Sequence, residues 1–163
     1  MPGPIAQWLS ADHARLEALF DRGTAGDASA YGEFRSGLLR HIGIEEKLLM
    51  PAAQRAQGGR PLVAAAQLRL DHGAIASLLV PTPTPVVAST LRRILAGHNQ
   101  IEEGPDGVYA VCDGLLGDTA EGLVREMAAY PAVPVSAHND GPEVWPAVRR
   151  ALERAGHRLH EDG

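Results

Sequence analysis

Cysteine is almost missing from this chain: Cys112 stands alone among 163 residues. No disulfide can close within the chain, and a reducing, cytoplasmic setting is the expectation. Aromatic side chains are scarce too, at 4% against 45% apolar residues overall, so the core must be built from Leu, Ala, Val and Ile. Lys and Arg form no run and the net charge is −5, which leaves no electrostatic footprint for nucleic acid or an anionic membrane. No apolar stretch approaches the roughly 18 residues of a spanning helix. Met1-Pro2-Gly3-Pro4-Ile5 lacks the basic-then-apolar start of a secretory signal. Strand-like alternation, nucleotide or flavin fingerprints and substrate-pocket motifs are absent throughout. The length fits one domain with a substantial core.

What the chain does have is a statement made twice. Asp12-His13-Ala14-Arg15-Leu16-Glu17-Ala18-Leu19 returns further on as Asp71-His72-Gly73-Ala74-Ile75-Ala76-Ser77-Leu78. Between the copies lies His41-Ile42-Gly43-Ile44-Glu45-Glu46, which returns in the same order as His98-Asn99-Gln100-Ile101-Glu102-Glu103. The step from His13 to His41 nearly equals the step from His72 to His98. Four histidines and two carboxylates repeated in register are the ligand set that a two-metal centre on a pseudo-twofold helix bundle requires.

Pro and Gly punctuate the sequence rather than fill it. Breaks at Gly23–Gly26, Gly58–Pro61, Pro81–Pro85 and Leu116–Asp118 separate four segments with helical apolar spacing, near 10–22, 29–56, 62–79 and 86–115. Short loops favour antiparallel neighbours, so the expected class is all-α, an up-down-up-down four-helix bundle over residues 1–116. Residues 117–163 are expected to form a helical extension packed on that bundle in the same domain. Within it, Thr119–Tyr130 reads as a short helix, and Asp140-Gly141-Pro142-Glu143 opens another that runs to Arg154 and closes at Gly156.

The six ligand candidates fall on core seams. Leu9, His13, Leu16 and Phe20 step by three and four, as do Leu68, His72, Ile75 and Leu79. The other two seams run Phe34, Leu38, His41, Glu45, Leu48 and Leu91, Leu95, His98, Glu102. Six unpaired ionisable groups in a core would cost several kcal/mol each, a cost that a bound cation offsets. Histidine and glutamate four residues apart share one helix face. At about 1.5 Å per residue, helices that rise roughly 14 Å from His13 and descend roughly 18 Å to His41 return to one level.

This pattern resembles hemerythrin and the hemerythrin-like (HHE cation-binding) domains. Its carriers are Asp12-His13, His41 through Glu45-Glu46 with Leu48-Leu49-Met50-Pro51, Asp71-His72, and His98 through Glu102-Glu103, and it covers residues 10 to about 115. The resemblance implies a non-haem di-iron centre. His13, His41, His72 and His98 would be terminal ligands, and Glu45 and Glu102 would bridge two irons that are oxo- or hydroxo-linked. Imidazole and carboxylate also suit Mn and Zn. The oxygen carriers have a fifth histidine where this chain has Ala76, so reversible oxygen transport is not implied as iron binding is.

Other residues have two readings each. Glu46 and Glu103 either fill a vacancy at the metal or are solvated. Tyr109 either packs, or hydrogen-bonds a bridging carboxylate or intercepts oxidising equivalents. His138 is either an exposed loop residue or an extra ligand offered by the extension. Asp12 and Asp71 either hold the free ring nitrogen of a ligand histidine or place negative charge near a helix start. Gly43, Gly73 and Gly97 leave room either for a small exogenous ligand or for close packing. Cys112 reads as core, and His157 and His160 as solvated residues of a polar tail. Two function classes follow. One is a module that binds or senses O2, NO or iron. The alternative is a di-iron oxidase, peroxidase or NO-processing enzyme. With no base or nucleophile outside the ligand set, binding is the favoured expectation.

Overall fold

A computed structural model describes residues 1–160. Helix takes up 72% of the described residues and no strand occurs among them, as the all-α expectation requires. In chain order the elements are α1 (Pro4–Thr24), α2 (Ala28–Ile44), a π-helical turn (Glu45–Leu49), α3 (Met50–Ala56), α4 (Ala65–Leu78), α5 (Pro85–Glu103), α6 (Val108–Leu116), α7 (Ala120–Ala128) and α8 (Val144–Ala155). Among the described residues, no helix is long and apolar enough to cross a membrane.

Two expected boundaries are wrong for identifiable reasons. The first helix starts at Pro4 rather than near residue 10, since proline at the first helical position gives up an N–H that had no partner anyway. The helix expected over 86–115 stops at Glu103, and Gly104-Pro105-Asp106-Gly107 turns the chain into α6. Pro105 cannot donate to the preceding turn and disfavours helical backbone at Gly104. Gly107 is required there, because a Cβ on it would lie 2.6 Å from the Glu102 carbonyl oxygen. The two short C-terminal helices appear as α7 and α8, and α8 ends at Gly156 with φ +81° as its sequence indicates.

The chain divides into two compact units, Met1–Ala65 with Asn99–Val135, and Ala66–His98 with residues from Ser136 on. In the first unit α1 and α2 run antiparallel. Phe20 stacks on Phe34 with ring centroids 4.8 Å apart, Leu16 lies against Gly37, and His13 faces His41 at 4.5 Å. Numbers fall along α1 as they rise along α2. Ile5, Leu9, Leu38, Ile44, Leu49, Cys112 and Met127 complete a dry core. Arg40 reaches across to donate to the carbonyls of Met127, Ala128 and Tyr130, closing the end of α7.

The π-helical turn has a local cause. Pro51 would drive its ring into the carbonyl four residues back in a regular helix. Here the Met50 N–H instead reaches the Glu45 carbonyl, five residues back, and the turn widens. The extra residue shifts the buried seam by one position, so Leu49 is buried where the α-helical spacing selects Leu48.

The second unit is built from α4, α5 and α8 around Leu68, Ile75, Leu78, Leu91, Ile94, Val148 and Leu152. Polar ties fasten its later segment to the earlier one. Thr82 N–H and Oγ1–H donate to Asp140 at 2.8 and 2.6 Å, and Gln67 donates to the Ala155 carbonyl at 3.0 Å. His157 and His160, expected to be solvated, are part of this network. His160 Nδ1 lies 2.6 Å from Ser89 Oγ, and His157 Nε2 lies 2.9 Å from Asp71 Oδ1.

The start of α1 has no capping side chain of its own. Asp113 of α6 supplies one from a distance, accepting from the Ile5 and Ala6 N–H groups at 2.9 and 3.0 Å. A negative charge at a helix N-terminus is favourable for its dipole as well as its orphan donors. Asp113→Ala is expected to reduce unfolding stability by about 1 kcal/mol, read from the urea midpoint at constant slope. A midpoint unchanged from the parent would show that α1 does not depend on this cap.

Candidate metal centre

Four buried side chains of the first unit converge: His13 from α1, His41 from α2, Glu45 from the π-helical turn, and Glu102 from the end of α5. Their exposures are 8, 2, 1 and 0%, so water does not solvate the charges. One donor atom from each lies within 4.8 Å of every other. His13 Nε2 is 3.2 Å from Glu102 Oε2, and His41 Nε2 is 3.2 Å from Glu45 Oε1. Two imidazoles and two carboxylates form a donor set that fits a divalent or trivalent first-row metal ion.

The outer nitrogen of each histidine is already taken. His41 Nδ1 lies 2.8 Å from Asp12 Oδ2, and His13 Nδ1 lies 2.5 Å from Glu103 Oε1. Burial pushes the Asp12 carboxyl up, but its bonds to His41 and Arg15 outweigh burial and hold it below the usual value. An ionised carboxylate only accepts, so the proton of His41 sits on Nδ1 and Nε2 is turned into the cluster. This carboxylate–imidazole pairing orients a ligand and raises its basicity. Of the two readings of Asp12, the hydrogen bond is the one realised. Glu103 neither joins the cluster nor is merely solvated; it steadies His13. Glu46 is half-buried.

The second unit repeats the pairing. His98 Nδ1 lies 3.1 Å from Asp71 Oδ2, and its Nε2 is 3.2 Å from His72 Nε2. Both histidines are buried, at 2% for His72 and 5% for His98. Burial again raises the Asp71 carboxyl, and again the bonds from His98, His157 and Gln67 win and keep it low. In each half, therefore, the aspartate of the Asp-His pair holds the histidine of the following His-x-x-x-Glu unit. Asp71 carries His157 on its other oxygen, a contact the polar tail sequence gave no reason to expect. His138 is exposed on its loop.

Of the two readings of Tyr109, the hydrogen bond to a cluster carboxylate is the one realised, by a route that the spacing alone does not give. In a continuous helix it would stand two turns, about 10 Å, beyond Glu102. The break at Gly104–Gly107 folds α6 back instead, and the Tyr109 hydroxyl enters the cluster. It lies 2.5 Å from Glu45 Oε1, 2.8 Å from Glu102 Oε2, 3.2 Å from His13 Nε2 and 3.3 Å from His41 Nε2. Burial first, then the Glu45 and Glu102 charges, push its phenol well above the usual value. Cys112, one turn on, is pushed up to about 12 by burial and then by Asp113 and Glu45, an inert thiol of the core.

The glycines beside the histidines do not mark room for a ligand. A Cβ on Gly43 would meet the Tyr130 hydroxyl at 2.8 Å, so close packing accounts for it. Gly73 and Gly97 are exposed, with nothing within 4 Å of such a Cβ. Comparison with protein-family models, with curated proteins and with solved structures finds no match. The reading therefore rests on the residues themselves.

Burial alone would lower the pKa of His41, but Glu45, Asp12 and Glu102 overcome it and raise the imidazole to about 10. Its folded value lies above the ordinary 6.5. The stabilising contribution is thus complete below about pH 6.5 and is lost as pH climbs through about 10. Metal-free protein should lose stability across that interval, and metal affinity should rise across it, because proton and ion compete for Nε2. Urea midpoints and metal titrations at several pH values check both slopes; a flat pair of profiles would remove His41 from the cluster's energetics.

Asp12→Ala should weaken metal binding by about 10–100-fold through loss of the hydrogen bond on His41, while Asp106→Ala, an exposed residue, should leave it unchanged. Competition against a chromophoric chelator measures both.

Proposed function

We propose that the chain is a non-haem iron protein of the hemerythrin-like kind, an up-down-up-down bundle whose centre binds or senses O2, NO or iron. The observation that carries this is the buried quartet His13, His41, Glu45 and Glu102, with both imidazoles steadied on their outer nitrogens and aimed inward on their Nε2 atoms. Buried charges without a cation cost several kcal/mol each, and an ion at their centre offsets that cost. A donor set of nitrogen and hard oxygen without sulfur suits Fe, Mn or Zn. The choice of iron comes from the resemblance of the repeated Asp-His and His-x-x-x-Glu-Glu units. A second, oxo- or hydroxo-linked iron rests on the repeat as well, with His72 and His98 as the corresponding nitrogen donors.

Bound iron would supply a redox-active Lewis acid able to take a diatomic ligand. The chain's own part is to hold the ion, orient its histidines and exclude water. Binding is favoured over catalysis because the groups around the quartet are all engaged in holding it. Asp12 and Glu103 brace the histidines, and the Tyr109 hydroxyl lies against the two carboxylates.

Protein expressed with added iron should carry about two irons per chain by elemental analysis, and His98→Ala or Glu102→Ala should lose at least half. The exposed His138→Ala should lose none. Less than one iron per chain in the parent would end the proposal. After anaerobic reduction, admission of oxygen should give a visible band that reverses under vacuum. Irreversible turnover of oxygen or peroxide would make the chain a di-iron oxidase or peroxidase instead, and multiple turnovers of NO would make it an NO-processing enzyme.

A further inference from the structure

The position of the Tyr109 hydroxyl is not that of a bystander. Donors about 2.1 Å from a six-coordinate ion are about 3.0 Å apart when they are neighbours around it. Tyr109 Oη stands 2.5, 2.8, 3.2 and 3.3 Å from Glu45 Oε1, Glu102 Oε2, His13 Nε2 and His41 Nε2. Two further pairs within that quartet are 3.2 Å apart. The oxygen is therefore at neighbour distance from all four donors at once, the placement of one ligand set beside four others. A residue that only braced the site would touch one ligand, as Asp12 and Glu103 do.

We propose that Tyr109 is itself a ligand, its phenolate oxygen a fifth protein donor to the ion held by His13, His41, Glu45 and Glu102. The inference rests on the metal-binding reading above and extends it. One phenolic O–H serves only one of the two carboxylates beside it. A cation at the centre inverts these electrostatics: all five atoms become acceptors of one positive charge, and the phenol proton passes to solvent. The fold has made an arrangement for this. The Gly104–Gly107 turn brings α6 back over Glu102, and the Asp113 cap one turn beyond Tyr109 fastens α6 to α1, which carries His13.

The test uses the full chain loaded with ferric iron. A phenolate on ferric iron gives a visible charge-transfer band, and resonance Raman excitation within it enhances tyrosine ring modes. Those modes should be present in the parent, should shift when the protein is grown on ring-deuterated tyrosine, and should vanish in Tyr109→Phe. Tyr31→Phe and Tyr130→Phe should keep them. Iron affinity should fall at least about tenfold in Tyr109→Phe, but a bracing residue would do the same, so the spectrum decides. A parent that holds iron and shows no tyrosine modes overturns the inference while leaving the metal site standing. So does a Tyr109→Phe variant that keeps the modes. A parent that takes up no iron overturns both. If Tyr109→Phe fails to fold, modes kept in a Tyr31→Phe/Tyr130→Phe double variant assign them to Tyr109, and modes lost there overturn the inference.

Discussion

Two imidazoles and two carboxylates packed with donor atoms within 4.8 Å of one another and sealed from water are the constraint on which the first unit turns. Their desolvation is unfavourable, and the surrounding structure is arranged to counter it. Asp12 and Glu103 take the outer ring nitrogens, Tyr109 sets its hydroxyl against the carboxylates, and α-helical spacing of four residues sets Glu45 beside His41. His41, Glu45, Glu102 and Tyr109 are buried, while Glu103 reaches His13 from the exposed margin. Such a cluster is held at a cost that apolar side chains of the same volume would not incur. That is the sense in which the site, rather than packing alone, explains the residues chosen.

The second unit applies the same rule with less. One aspartate holds one buried histidine, whose inner nitrogen faces another histidine 3.2 Å away. The recurrence of aspartate-on-Nδ1 at Asp12 and again at Asp71 explains why the motif is Asp-His rather than His alone. The aspartate does not serve the histidine it adjoins in sequence. It serves the one on the next helix. His157 then reaches the far oxygen of Asp71, so the C-terminal segment bears on the inner residues of its unit.

Much of this was legible from spacing. Residue types repeated in register, each on an apolar seam, marked His13, His41, Glu45 and Glu102 as neighbours, and the helical class followed from the absence of alternation. What stayed hidden depended on single residues that break periodicity. Pro105 divides one expected helix into two and thereby moves Tyr109 by about 10 Å. Pro51 widens a turn and moves the buried seam from Leu48 to Leu49. The roles of Glu103 and His157 were out of reach for another reason. Both are held by partners 86 or more positions away, and polar residues at the margin of a helix or in a tail carry no periodic signal.

The π-helical turn has one more consequence. A π turn is an α-helix with one residue inserted, and the widened turn absorbs the phase difference of about 100° that this residue introduces. α3 is therefore uncoupled in phase from α2. Changes in the length or twist of Met50–Ala56 can be taken up between Glu45 and Leu49 without rotating His41 and Glu45. The chain can drift at α3 while its ligands keep their aim.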